Sequence, residues 1–127
     1  MNIGFIYCLT NDCMPGICKI GYTERSPSQR CKELSSSTSA PEDFYIQLYV
    51  EVDNARAVEA AIHAYFDAER VNPAREFFRV EPIDLYEWLS RSVDMYTEYL
   101  DGDVVFEIQR RASRALAAKE ALQQEPA

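Results

Sequence analysis

Residues 4–22 read GFIYCLTNDCMPGICKIGY, and this stretch decides the fold of the chain. It holds two short apolar runs, residues 5–9 and 17–22, which are separated by a polar segment that contains proline and glycine. Two such runs joined by a breaker of this kind predict a β-hairpin. The hairpin also carries polar groups that a plain pair of strands does not need, because Tyr7 lies in the first strand and Lys19 in the second.

The composition predicts one globular unit. The chain has 127 residues, of which 47% are hydrophobic and 12% aromatic, so it is long enough and apolar enough to bury a core. No apolar run approaches the roughly 20 residues that cross a bilayer, and the N-terminus lacks the pattern of a secretion signal. We therefore expect a cytoplasmic protein that makes no contact with a membrane.

The charge argues against a protein that coats nucleic acid, and the cysteines argue against a zinc-binding or disulfide-bonded protein. A net charge of −8 is unsuited to coating nucleic acid by bulk attraction, although basic residues cluster locally within residues 19–32 and 70–79. The four cysteines, at positions 8, 13, 18 and 31, lack the spacing of a zinc site, and no secretion signal supports disulfides. We expect four free thiols and local basic patches on an acidic body.

The segment after the hairpin predicts a helix and a long strand. The Ser-Pro pair at residues 26–27 suits the N-cap and first position of a helix, which ends in the serine-rich run 35–39. The chain then restarts at residues 40–41. Residues 44–52 alternate strictly between apolar and polar side chains, which predicts the clearest strand in the sequence. Every second residue from Phe44 to Val52 is expected on its apolar face.

The second half of the chain predicts mostly helices. Asp53 is expected to cap a helix whose apolar stripe packs on the sheet. That stripe consists of Ala55, Val58, Ile62 and Phe66. Residues 76–80 follow a proline-containing break and predict a short strand. Pro82–Leu100 carries one continuous apolar stripe that predicts a third helix, and residues 104–123 predict a last amphipathic helix.

The hairpin resembles a known family. The motif G-x-I-Y at residues 4–7 and the motif K-I-G at residues 19–21 resemble the two halves of the GIY-YIG nuclease signature. The resemblance is closest to the T5orf172/MUG113 type, in which a lysine replaces the second tyrosine. Three further matches follow along the chain: Arg30 on the next helix, E-x-x-x-H at residues 59–63 and VNPAREFF at residues 71–78. The resemblance covers approximately residues 3–80.

The resemblance implies an α/β fold of the α+β kind. A small antiparallel three-stranded sheet of the GIY-YIG type would be flanked by helices. Residues 1–80 would form the GIY-YIG-like domain, and residues 81–127 would form a C-terminal helical extension packed on the same domain. The extension resembles no family, and its acidic face is unlike a DNA-binding module.

The resemblance also implies a site that hydrolyses DNA phosphodiester bonds. Tyr7 would act as a general base or as a hydrogen-bond partner of the attacking water. Lys19 would lower the pKa of Tyr7 or bind the scissile phosphate. Arg30 would hold phosphate oxygens. Glu59 would bind Mg²⁺ or Mn²⁺ together with water and phosphate, and His63 would orient water, transfer a proton or contact phosphate.

Further residues are expected to contact nucleic acid, and they are Gly21, Tyr22, Arg25, Lys32 and Arg75. A glycine at position 21 would let phosphate or another strand approach closely. Glu76 either contacts the site or closes a strand. Each of these residue types alone has a more ordinary interpretation: Tyr7 would be a packed strand residue and Arg30 part of a solvated helix face. Only their joint occurrence favours a site.

Two functions from different classes remain open. The first is a small endonuclease of a phage, mobile element or bacterium, which cleaves DNA with Mg²⁺ or Mn²⁺ in the bacterial or phage-infected cell. The second is an inactive protein that keeps the scaffold and binds a protein partner through residues 82–127, in conflict between phage and host. The acidic charge favours the second. A homodimer through the same residues is compatible with either.

Overall fold

The computed structural model describes residues 2–36, 42–73 and 75–124, and these contain five strands and four α-helices. The strands are β1 (Ile3–Thr10), β2 (Cys18–Thr23), β3 (Tyr45–Asp53), β4 (Phe77–Phe78) and β5 (Thr97–Leu100). The helices are α1 (Pro27–Ser35), α2 (Ala55–Tyr65), α3 (Pro82–Ser92) and α4 (Gly102–Gln123), with a 3₁₀ turn at Asp67–Glu69. The end of the serine-rich run and the expected restart at residues 40–41 lie outside the described residues.

The predicted hairpin is confirmed. β1 pairs antiparallel with β2, so that Tyr7 lies opposite Gly21 and Leu9 lies opposite Lys19. Between the strands, the chain turns through Gly16, which has a φ of 76°. Glycine adopts this left-handed conformation without the steric cost that a Cβ atom imposes.

The sheet is wider than the sequence predicts. It is antiparallel and has five strands in the order β4-β2-β1-β3-β5, whereas three were expected. The class of fold, with helices packed against an antiparallel sheet, agrees with the prediction. Beyond the three strands that the resemblance implies, β4 lies beside β2 and within the short strand predicted at residues 76–80, whereas β5, which lies beside β3, was not predicted.

The third helix is shorter than predicted. α3 ends at Ser92, and Val93 already has extended backbone, with a φ of −138° and a ψ of 156°. The segment that was expected to continue the helix to Leu100 instead forms β5 and pairs with β3 over Leu48–Glu51. Threonine and tyrosine favour strands, and the β3 edge supplies hydrogen-bonding groups for them. The prediction of one helix across this segment was therefore wrong.

A β-bulge divides the apolar face that was predicted for β3. The register shifts between Cys8 and Leu9, which lie opposite Leu48 and Ile46, so Gln47 is the extra residue. From Leu48 onward, every second residue of β3 faces the main core. Ile46 instead packs with Leu9 on the opposite side of the sheet. The prediction of a single face was wrong because an inserted residue reverses the alternation.

The two predicted helix caps had different outcomes. Ser26 caps α1 as expected, and its side chain accepts a hydrogen bond from the backbone N–H of Gln29. The cap of α2 is Asn54 rather than Asp53, and its φ of 55° is left-handed, a region in which asparagine is enriched. The Asp53 carboxylate instead accepts a hydrogen bond from the backbone N–H of Asn2 at 2.8 Å.

The sheet is packed on both faces. One face carries the main core, to which α2, α3 and the start of α4 contribute buried residues such as Ile62, Leu89 and Val104. The other face carries a smaller cluster, in which Tyr7 and Leu9 of β1 pack with Cys31 of α1. All four cysteines are free thiols. In the described part of the chain, no helix is long and apolar enough to span a membrane.

Candidate active site

The candidate site is built around the contact between Tyr7 and Gly21. These residues are direct cross-strand neighbours, and the Tyr7 ring lies over the glycine. A Cβ atom at position 21 would stand 2.6 Å from Cζ of Tyr7, far closer than two carbon atoms pack. Glycine is therefore the residue that allows the Tyr7 phenol to cross β2. Tyr7 itself is only 2% exposed.

α1 brings Arg30 to the Tyr7 hydroxyl. Burial raises the pKa of Tyr7 above its usual value of 10, and the hydrogen bond with Arg30 acts in the opposite direction. The same contact raises the pKa of Arg30. Because an arginine donates but does not accept, the guanidinium N–H is the donor to the phenol oxygen. The phenol is thus protonated at neutral pH.

Lys19 is held by an ion pair at the β2–β4 edge. Its Nζ lies 3.2 Å from Oε2 of Glu76, and it also lies 5.2 Å from the ring centre of Phe77. The Lys19 side chain is 13% exposed, whereas that of Glu76 is 40% exposed. A largely buried ammonium group needs such a partner. Glu76, which the sequence left undecided between the site and the strand, therefore contacts a candidate site residue.

α2 places the Glu59 carboxyl group beside the same groups. Its pKa is raised to about 7, first by burial and then by the negative charge of Glu76. The backbone N–H of Tyr22 and the charges of Lys19 and Arg70 oppose that shift. The charge of Glu59 in turn raises the pKa of Tyr7, which places both residues in one electrostatic neighbourhood.

His63 connects α2 to β2. Its Nε2 lies 2.9 Å from the backbone oxygen of Ile20, and since a carbonyl only accepts, this nitrogen carries the hydrogen. The ring also packs against Phe78, with 5.0 Å between ring centres. Ile20 in turn donates its N–H to the backbone oxygen of Glu76 at 3.0 Å. These contacts fix the backbone immediately before Gly21. His63 is therefore placed to hold this part of the site in position.

Arg70 is a residue that the sequence did not single out for the site. Its Nη1 donates to the backbone oxygen of Pro73 at 3.0 Å, and its Cζ lies 5.1 Å from the ring centre of Phe78. Its Nε is buried without a hydrogen-bond partner among the described residues, since Asp67 is 3.9 Å away. The positive charge acts on Glu59. No motif marks this arginine, and its only signal was its place in a basic cluster before VNPAREFF.

The remaining expected residues lie apart from these groups or are held elsewhere. Arg25 makes two hydrogen bonds of 2.9 Å with the Glu33 carboxylate, which also contacts Arg30. Lys32 is two positions from Arg30 on α1, and residues so spaced on a helix face different directions. The Tyr22 side chain packs against the main core. Arg75 is exposed.

The donor set is compatible with a hard divalent cation bound mainly through water and substrate. Among the described residues, no three His, Cys, Asp or Glu side chains cluster as a ready-made metal site. Glu59 and Glu76 are nevertheless close enough for their charges to interact, and a cation would relieve that repulsion. Mg²⁺ commonly binds through one or two carboxylates, with waters and phosphate completing its shell.

Comparison with known proteins gives one match. The sequence model of the T5orf172 domain matches residues 4–93, which is more than half of the chain. This domain is associated with nuclease-like proteins related to the GIY-YIG group. The match includes the hairpin, α1, α2 and α3. No curated protein and no solved structure matches the chain.

Proposed function

We propose that this chain, which belongs to the T5orf172 domain family, is a GIY-YIG-type endonuclease that hydrolyses DNA phosphodiester bonds with Mg²⁺ or Mn²⁺. The observation that carries the proposal is the grouping of Tyr7 with Arg30 and Glu59, and of Glu59 with Lys19. These residues come from separate elements, and packing alone does not require two cations, a carboxyl group and a phenol to meet in this way.

Two cations are available for the phosphate. The Arg30 guanidinium is partly exposed and offers paired N–H donors, which match two phosphate oxygens. The Lys19 ammonium provides a second positive charge, which is now balanced by Glu76. Charge builds on the phosphate oxygens in the transition state, so donors that are already oriented stabilise it without reorganisation.

The family resemblance implies that Tyr7 is either a general base or a hydrogen-bond partner of the attacking water, and the protonation state of Tyr7 favours the second role. Since burial raises its pKa, the phenol is protonated at neutral pH and is a poor general base. With Arg30 donating to its oxygen, Tyr7 can donate its hydrogen to the attacking water or to a phosphate oxygen. We therefore assign Tyr7 the role of hydrogen-bond partner, which orients the reacting group.

Glu59 is the residue that would hold the metal, and Glu76, whose charge acts on Glu59, is a candidate second carboxylate. When bound, Mg²⁺ or Mn²⁺ would supply positive charge to the phosphate and to the leaving oxygen. Ionisation of Glu59 is a condition for this binding, because a protonated carboxyl group is a weak ligand. His63 would keep β2 in position through Ile20.

The proposal is tested by incubating the purified protein with plasmid, branched and single-stranded DNA in the presence of Mg²⁺ or Mn²⁺. We expect cleavage that is abolished by EDTA, by Glu59→Gln and by Arg30→Ala. Glu120→Gln, which changes an exposed glutamate on α4, serves as the matched control and should cleave normally. Cleavage that survives both site variants would overturn the assignment.

A second function is favoured by the end of α4. Every residue from Ala112 to Gln124 is exposed, including Leu116 at 57% and Leu122 at 73%. An isolated helical segment of this length is marginal in water, so a protein partner or a second copy would stabilise it. This candidate predicts that light scattering or a binding assay detects a complex, which is lost when residues 112–127 are deleted. If the partner is another protein and the scaffold is inactive, the purified protein does not cleave DNA, whereas a homodimer is compatible with cleavage.

A further inference from the structure

A row of aromatic side chains leads away from the candidate site. Gly21, Tyr7, Tyr49 and Tyr99 are direct cross-strand neighbours on β2, β1, β3 and β5. Directly paired residues point to the same face of a sheet, so the row runs along one face from Gly21 to the β5 edge. With strands about 4.8 Å apart, Tyr99 lies roughly 10 Å across the sheet from Tyr7.

The rings of this row contact one another and become more exposed toward the edge. Tyr49 and Tyr99 stack at 5.3 Å between ring centres and 21° between planes, and Phe5 meets Tyr49 edge-on at 5.8 Å. Tyr7 is buried at 2%, Tyr49 is half-buried, and Tyr99 is 41% exposed. The name aromatic row is used for the three rings beside Tyr7, namely Phe5, Tyr49 and Tyr99.

The charges near the aromatic row are mixed, and few of them are positive. Neither β3 nor β5 contains a lysine or arginine, and Glu51 lies two residues from Tyr49 on the same face. Lys32 of α1 lines a cavity with Tyr99, together with the acidic Asp43 and Asp101. The whole chain carries a net charge of −8. Duplex DNA presents its phosphates outward, and its binding depends mainly on neutralising them. Exposed rings instead suit bases whose faces are uncovered, because stacking works for every base.

We propose that the aromatic row binds unpaired bases of the DNA strand next to the phosphate held at Tyr7 and Gly21. This inference rests on the proposed nuclease function and narrows its substrate to DNA with an unpaired segment, such as a single strand, a flap or a branch. The roughly 10 Å between Tyr7 and Tyr99 corresponds to about three nucleotides at the ~3.4 Å spacing of stacked bases. The continuity of the row with the site selects this occupant.

The test measures binding in EDTA, so that no cleavage occurs. The probe is a fluorescein-labelled oligothymidylate of about 12 nucleotides, single-stranded or annealed to its complement, and the readout is fluorescence anisotropy. We expect the single strand to bind more tightly than the duplex. Tyr99→Ala should weaken single-strand binding about tenfold, and Tyr99→Phe, which keeps the ring, should restore it. Tyr65→Ala removes an exposed tyrosine from α2 and should change nothing.

The possible outcomes separate this inference from the proposed function. Wild-type binding by Tyr99→Ala, a preference for the duplex, or an equal loss in Tyr65→Ala would overturn the role of the aromatic row. If metal-dependent cleavage sensitive to Glu59→Gln is nevertheless present, the proposed function stands without the row. Conversely, Tyr99-dependent binding of the single strand without any cleavage would retain the row and reject the nuclease.

Discussion

Gly21 and Tyr7 form the tightest contact of the candidate site, and this contact explains why particular residue types occur in the hairpin. The phenol occupies the space that any side chain at position 21 would need. The motif match predicted that Tyr7, Lys19, Arg30 and Glu59 belong to one site, and the structure brings Tyr7 near Arg30 and Glu59, and Glu59 near Lys19. The sequence left Glu76 undecided between the site and the strand and did not single out Arg70, because the choice of ionic partner depends on how β4 and the preceding turn lie against β2.

Gly21→Ala tests this contact. The added Cβ would overlap the buried Tyr7 ring, so we expect a loss of about 1–3 kcal/mol in the free energy of unfolding. Gly102→Ala is the matched control, since a Cβ there meets nothing within 4 Å. Urea denaturation measures both. An equal effect of the two substitutions would contradict the described packing of Tyr7.

Glu59 makes the stability of the protein depend on pH. Its pKa is about 7 in the folded protein against 4.5 ordinarily, so the folded state binds more protons than the unfolded state between these values. Stability contributed by the protonated carboxyl group is therefore lost as the pH rises from about 4.5 to 7. Because the group is only half-buried, solvent screening limits the effect to about 1 kcal/mol.

Thermal denaturation of Glu59→Gln without divalent cations measures this effect. The variant should be more stable than the wild type at pH 8, by about 1 kcal/mol, and nearly equal to it at pH 4.5. Glu120→Gln should follow the wild type at both values. A difference between Glu59→Gln and the wild type that is the same at both pH values would contradict the raised pKa.

At the scale of elements, features that depend on nearby residues were predicted well, and features that depend on pairing between distant strands were not. The hairpin and α1 are determined by residues that are close in sequence, namely a turn with glycine and a Ser-Pro cap. β5 was mistaken for helix because its apolar spacing also fits a helical stripe, and only the free edge of β3 decides between the two. The bulge at Gln47 likewise has no local signal.

Arg111 of α4 forms ion pairs with acidic residues of α3 and with the acidic residue before that helix. Its guanidinium lies 3.1 Å from Asp84 and 2.9 Å from Glu87 on α3, and 3.7 Å from Glu81 at the start of that helix. The three carboxylates are at least 42% exposed, so the network is partly solvated.

We expect Arg111→Ala to lower the free energy of unfolding by about 0.5–1 kcal/mol, with a smaller loss at high salt. Urea denaturation at low and high ionic strength measures this. Arg114→Ala, an exposed arginine on the same helix, is the control and should have no effect. A loss that does not change with salt would show that packing of the Arg111 stem, rather than its charge, joins the helices.

At the scale of the whole molecule, an acidic protein carries a small group of cations at one place. The net charge of −8 makes non-specific attraction to DNA weak, so the proposed binding of DNA would depend on the local cations and on the aromatic row. An acidic body with local basic patches was predicted from the sequence. The availability of each basic residue could not be predicted, because Arg25 is held by Glu33 and Lys32 faces a different direction from Arg30.

The most direct test of the central claim is the single-turnover cleavage rate of a labelled branched DNA with Mg²⁺, compared between the wild type and Tyr7→Phe. This substitution removes one hydroxyl group and keeps the ring that covers Gly21. We predict that the wild type cleaves and that Tyr7→Phe is slower by at least about 100-fold, whereas Tyr65→Phe cleaves at the wild-type rate. Absence of cleavage by the wild type, or equal rates for Tyr7→Phe and the wild type, would contradict the assignment of this site.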